Sequence, residues 1–159
     1  MTGEGRPAEE RVDGTGLTVA VVHGTWHPRI ADGLLAGARR VLEESGATVR
    51  LVEAPGSFEL PVLAQAALQA GADAVVALGV IIRGGTPHFD FVADAATRGL
   101  TDVALTTGKP VGFGVLTLDD EQQGLDRAGL PGSKEDKGAE AATAALRTAL
   151  TLRALRPAG

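Results

Sequence analysis

Residues Asp73–Ile82 read DAVVALGVII, ten positions of which only Asp73 is charged. A strand with one wet face alternates polar and apolar side chains. A run that is apolar on both faces is the pattern of a central strand in a parallel sheet, covered above and below. Outward from it, Leu17–Val22 (LTVAVV), Thr48–Glu53 and Val111–Leu116 read as three further strands. Between them the apolar period becomes helical. Ile30, Leu34, Leu35, Ala38, Val41 and Leu42 recur at that spacing, and Gly46 supplies a stop. A second helix runs through Val62, Leu63, Ala66, Ala67 and Gln69, with Ser57 as its expected cap and Gly71 as its end. A third spans His88 to about Thr107. Two more, near Asp119–Ala128 and Glu135–Ala154, complete the chain. Strand–helix alternation demands right-handed crossovers, hence an α/β fold with a four-stranded parallel sheet flanked by helices on both faces.

Composition narrows the function classes. The 159 residues are 44% hydrophobic, enough for one domain over residues 17–159. The polar, glycine-rich residues 1–16 are expected to form a flexible N-terminal arm. A net charge of -5 argues against nucleic acid as a partner, because phosphate backbones require clustered Lys and Arg. With no cysteine there is no disulfide, thiolate metal site or Cys nucleophile, and a reducing cytoplasm is the expected location. No signal-peptide pattern opens the chain, and the run Ala74–Ile82 is too short for a bilayer, so no membrane partner is expected. The last helix, with Ala141–Leu155 reading AATAALRTALTLRAL, is apolar around much of its circumference. Either it packs between subunits, or it is a terminal helix of an alanine-rich chain.

Ligands of open parallel sheets bind beyond the carboxyl ends of the strands, which selects the segments after each strand. The richest is Arg83-Gly84-Gly85-Thr86-Pro87-His88. Paired glycines bring bare amides close to a ligand, Thr86 is suited to cap the next helix and Pro87 to its first turn. Unpaired amides at a helix start make an anion cradle, although the pattern matches no nucleotide-binding loop. A neutral imidazole is favoured at that positive helix end, so His88 is either a proton carrier or a capping and packing residue. His23 and His27 read as ordinary loop histidines, and no His/Asp/Glu spacing suggests a metal site. In Ala54–Pro61 (APGSFELP), Glu59 is either a helix-start carboxylate or a reader of vicinal hydroxyls. Phe58 and Trp26 are either core residues or a stacking surface for a planar ring. Arg127 and Lys137 are either solvated cations or phosphate partners.

Taken together, PGSFELP (Pro55–Pro61), ALGVIIRGGTPHFDFV (Ala77–Val92), FGVLT (Phe113–Thr117) and RAGLPGSKEDKG (Arg127–Gly138) resemble the 6,7-dimethyl-8-ribityllumazine synthase family. The resemblance covers roughly residues 17–155. It implies a three-layer flavodoxin-like domain and a transferase of riboflavin biosynthesis. Such an enzyme joins 5-amino-6-(D-ribitylamino)uracil to 3,4-dihydroxy-2-butanone 4-phosphate, with no metal or redox cofactor. On the same resemblance, Trp26 stacks on the pyrimidine, Ser57, Phe58 and Glu59 hold the ribityl chain and ring, and Val80, Ile81 and Ile82 line the pyrimidine pocket. Gly85, Thr86 and Arg127 bind phosphate, His88 moves protons, Phe113 closes the pocket and Lys137 adds positive charge. Phe113, Arg127 and Lys137 are expected from the adjacent subunit of a homopentamer. A riboflavin synthase is a further expected candidate partner.

The match departs from the family pattern at Gly85, where many relatives carry Ala, Gln or Glu, and at Trp26, which stands in place of Phe. The stretch Leu130-Pro131-Gly132-Ser133 lengthens a loop that is compact in shell-forming relatives, so a free pentamer is expected rather than a hollow shell. Two rivals carry different predictions: a non-catalytic flavodoxin-like module that binds lumazine or flavin, and a shell protein without activity. The phosphate clamp counts against both.

Overall fold

The computed structural model describes residues 4–8 and 10–157. Four strands, β1 (Thr18–Gly24), β2 (Thr48–Ala54), β3 (Ala74–Ile82) and β4 (Val111–Leu118), form one all-parallel sheet in the order β2-β1-β3-β4. Helices α1 (Pro28–Ser45), α2 (Leu60–Gln69), α3 (His88–Thr107), α4 (Glu121–Leu125) and α5 (Lys137–Leu155) follow the strands. This is a three-layer α/β arrangement of flavodoxin-like type, whose strand order reverses between β1 and β3. The central strand is the one its sequence announced: Ala74–Ile81 are all buried.

Two apolar clusters sit on the two faces of the sheet. Ile30, Leu34, Ala38 and Leu42 of α1 and Ala142, Ala145 and Leu146 of α5 pack with Val19, Val21, Val76 and Leu78. Leu60, Ala64 and Leu68 of α2 and Leu100 and Val103 of α3 pack with Ala20, Val22, Val75 and Ala77. Alternate residues of β1 and β3 thus serve opposite faces, as the two-residue period of a strand requires. Full burial of each Leu or Ile contributes about 1.5–3 kcal/mol. Lys109, ahead of β4, donates from Nζ to the Leu68 and Ala72 carbonyls at 3.0 and 2.9 Å, fastening the end of α2.

Part of the apolar surface of α5 is used within the chain, while Leu155 stays exposed. Ala139, Ala141, Ala142, Ala145, Leu146 and Ala149 are buried. A Cβ on Gly138 would collide with the Leu34 backbone, and one on Gly112 with the Ala141 carbonyl, so α5 lies almost backbone to backbone on α1 and β4.

Three local expectations need correction. Ser57 does not cap α2. It opens a 3-10 turn, Ser57–Glu59, and α2 begins at Leu60 with Glu59 in the cap position. The helix expected near Asp119–Ala128 is only Glu121–Leu125, capped by Asp120 accepting from the Gln123 N–H. After it the chain doubles back, pairing Ala128 with Asp136, and α5 starts at Lys137 under the Asp136 carboxylate. The first helix ends as expected, with Gly46 left-handed at φ 81° and its N–H on the Glu43 carbonyl.

Of the arm expected over residues 1–16, residues 1–3 and 9 lie outside the described residues. Gly14 N–H donates to the Ser45 carbonyl at 2.8 Å, Arg11 donates to the Glu44 carbonyl at 2.8 Å, and Val12 packs on the α1–α5 cluster. Among the described residues, no helix is long and apolar enough to cross a membrane.

Candidate functional site

Where the strand order reverses, the turns leaving β1 and β3 part and open a groove of about 370 Å³. Three connections build it.

The first leaves β1. His27 has φ 56° and ψ 69°, the only left-handed non-glycine residue among those described, and it leads directly into Pro28. This costly conformation turns the chain so that Trp26 and His27 both reach the groove, their rings 6.5 Å apart. Trp26 stays 66% exposed. Opposite it, a Cβ on Gly56 would stand 3.2 Å from Trp26 Nε1, so the indole rests against bare backbone.

The second connection leaves β2. Ser57 is buried, and its hydroxyl occupies the space a side chain on Gly79 would need: a Cβ there would lie 2.5 Å from Ser57 Oγ. The missing side chain on β3 is what lets the 3-10 turn press onto the sheet. The turn then presents Phe58, 66% exposed, and Glu59 to the groove.

The third leaves β3, whose Val80, Ile81 and Ile82 form the apolar floor. Arg83 ties this connection to β4: its N–H donates to the Leu118 carbonyl at 2.8 Å, and its guanidinium lies 3.2 Å from Asp119 and 3.6 Å from Asp90. The same guanidinium sits 4.3 Å from the centre of the Phe89 ring. At Gly84 and Gly85, a Cβ would find nothing within 4 Å, so this stretch of backbone is open. Thr86 Oγ1 accepts from the His88 N–H at 3.4 Å, with Pro87 in the cap position of α3. His88 begins that helix and lines the groove.

The structure therefore brings together Trp26, Ser57, Phe58, Glu59, Val80, Ile81, Ile82, Thr86 and His88. Gly85 lies between two lining residues without lining the groove itself. Phe113, Arg127 and Lys137 do not line it. Phe113 stands in the middle of β4 opposite Ala77, 47% exposed. Arg127 donates to the Gln123 carbonyl at 2.8 Å and faces Glu135, and Lys137 lies between Glu135 and Glu140. Gly56, Phe89 and Val92 line the groove without having been singled out, and so does His27, which the sequence reading takes as an ordinary loop histidine. For His27 the sequence offered only its place before Pro28, which does not foretell a left-handed backbone.

The residues of the groove combine exposed rings, one carboxylate, two imidazoles and a helix start that favours anions. Such a set suits a planar polar molecule beside an anionic one. Among the described residues, no three or more His, Cys, Asp or Glu side chains gather as a metal-binding group.

Comparison with known proteins points the same way. Residues 16–153 match the family model described as 6,7-dimethyl-8-ribityllumazine synthase. A protein of that name from Leifsonia xyli subsp. xyli (strain CTCB07) is 73% identical over 157 residues, covering 98% of this chain and 99% of its own. Those of Clavibacter sepedonicus and Kineococcus radiotolerans are 69% and 65% identical, each over 99% of this chain and at least 98% of their own. With a parallel sheet in this order, a groove at its reversal point and relatives this similar along their whole length, the chain belongs to the 6,7-dimethyl-8-ribityllumazine synthase family.

Proposed function

We propose that the chain is a lumazine synthase, a transferase that condenses 5-amino-6-(D-ribitylamino)uracil with 3,4-dihydroxy-2-butanone 4-phosphate, giving 6,7-dimethyl-8-ribityllumazine, phosphate and water. The observation that carries this reading is the convergence of Trp26, Phe58, Glu59, Thr86 and His88 on one groove in a chain of this family.

The pyrimidine stacks on Trp26 and Phe58 over the floor of Val80, Ile81 and Ile82, while Ser57 and Glu59 engage the ribityl chain through its hydroxyls. The ketone phosphate sits at the start of α3, held by the amides of Gly85 and Thr86. The amine then condenses with the ketone to an imine with loss of one water, phosphate is eliminated, and ring closure loses a second water. His88 moves protons between these steps, and orientation of the two substrates supplies much of the remaining acceleration.

No Lys or Arg is among the lining residues of the groove. A phosphate dianion in a partly dry site calls for one. We assign that role to Arg127 of a neighbouring copy, whose Lys137 adds positive charge beside it and whose Phe113 closes the pocket, in a homopentamer of residues 17–159 domains working in the cytoplasm. The long 130–133 loop favours a free pentamer, and a riboflavin synthase remains a candidate partner.

Mixing the two substrates tests the reaction directly. Lumazine fluorescence that grows with enzyme concentration is expected, and a protein that binds the pyrimidine without turnover would overturn it. Mixed Arg127→Ala and His88→Ala chains should regain activity by sharing sites. No recovery after confirmed subunit exchange would remove the shared site. Sedimentation near a megadalton would replace the pentamer with a shell.

A further inference from the structure

The two cations assigned to the phosphate clamp are themselves bridged by a carboxylate. The Glu135 side chain, only 10% exposed, sets Oε2 3.5 Å from Arg127 Nε and Oε1 3.4 Å from Lys137 Nζ. Glu140 approaches the same Nζ at 3.3 Å, and Arg6 lies 3.7 Å from its other oxygen. Backbone pairing fixes this arrangement. Glu135 N–H donates to the Asp126 carbonyl at 3.0 Å, Gly129 N–H to the Glu135 carbonyl at 3.0 Å, and Lys137 N–H to the Arg127 carbonyl at 2.9 Å.

Glu135 Oε1 and Glu140 Oε2 are buried and have no hydrogen-bond partner among the described residues. A buried carboxylate oxygen left without a hydrogen bond is costly and is compensated here by the adjacent positive charges. Holding Glu135 this way spends stability that an amide or an apolar side chain would not require. The helices do not need it for capping, since Asp136 already caps α5.

We propose that Glu135 is a fixed counter-charge that limits the affinity of the Arg127–Lys137 pair for phosphate and thereby sets how readily inorganic phosphate leaves after elimination. The proposal rests on the reading of Arg127 as the partner of the substrate phosphate. Two cations in a half-buried site would hold a dianion too firmly for a leaving product. A carboxylate between them lowers the local positive potential and keeps both sets of N–H donors in position.

Glu135→Gln keeps the shape and removes the charge. The inhibition constant of inorganic phosphate is expected to fall about tenfold, and KM for the phosphorylated ketone to fall with it, while KM for the pyrimidine stays put. That factor corresponds to about 1.4 kcal/mol. Glu135→Asp should recover most of the native value. Glu140→Gln, which faces Lys137 and Arg6 but not Arg127, should shift inhibition the same way but less, and it carries the test if Glu135→Gln does not assemble. Unchanged or weakened phosphate inhibition in an assembled Gln variant would overturn the proposal and leave Glu135 as a brace. Arg127→Ala separates the two levels: it must weaken phosphate inhibition. If it does not, the phosphate site itself is misassigned, and the role of Glu135 falls with it.

Discussion

The glycines of the α1–α5 face and those of the β3–α3 connection do opposite work. At Gly138 and Gly112, and also at Gly33 and Gly37, an added Cβ would strike a neighbouring backbone or a fixed carboxylate. At Gly84 and Gly85 it would meet nothing within 4 Å. In one region the missing side chain lets helices and strands approach until their backbones nearly touch. In the other it leaves amides uncovered for a ligand. The same residue type thus marks a tightly packed part of the molecule and an open one, and only the surroundings tell them apart.

This contrast can be broken by substitution. The largest effect is expected for Gly138→Ala, which forces α5 away from the Leu34 backbone and should destabilise the fold by about 3 kcal/mol. Denaturant unfolding measures it, and a loss below ~1 kcal/mol would show that α5 adjusts easily. Next comes His88→Ala in the open region. Turnover should drop about 100-fold with the unfolding midpoint and pyrimidine binding almost unchanged. A matching loss of stability would return His88 to a packing role.

Gly79 sits where the two regimes meet. A methyl group there must displace the buried Ser57, so Gly79→Ala should cost about 2 kcal/mol and weaken pyrimidine binding together. Calorimetry on the variant that finds stability lost with binding intact would detach the 3-10 turn from ligand binding. The smallest change is expected for Gly85→Ala, within about 0.5 kcal/mol of native stability. Its phosphate inhibition should move less than threefold, and a larger movement would mean that the loop closes further around its anion.

Much of the site was legible because short-range rules govern it. The segments after β1, β2 and β3 were identified from strand ends, glycine pairs and helix-start residues, each a property of a few neighbouring positions. Ser57 was misread for an instructive reason. Its preference for helix caps is local, but its actual place is set by Gly79, a residue on another strand that lacks a side chain. The exposure of Trp26 likewise depends on a left-handed His27 and on Gly56 across the groove.

The sequence by itself determined the order of strands and helices, the central position of Ala74–Ile82 and the family, because periodicity and motif spacing are written along the chain. Only the tertiary structure decided that the groove opens between β1 and β3, that Phe113, Arg127 and Lys137 stand outside it, and that Glu135 lies between two cations. Those facts depend on how segments far apart in the chain are brought together by packing on two faces of one sheet. No local pattern encodes such contacts.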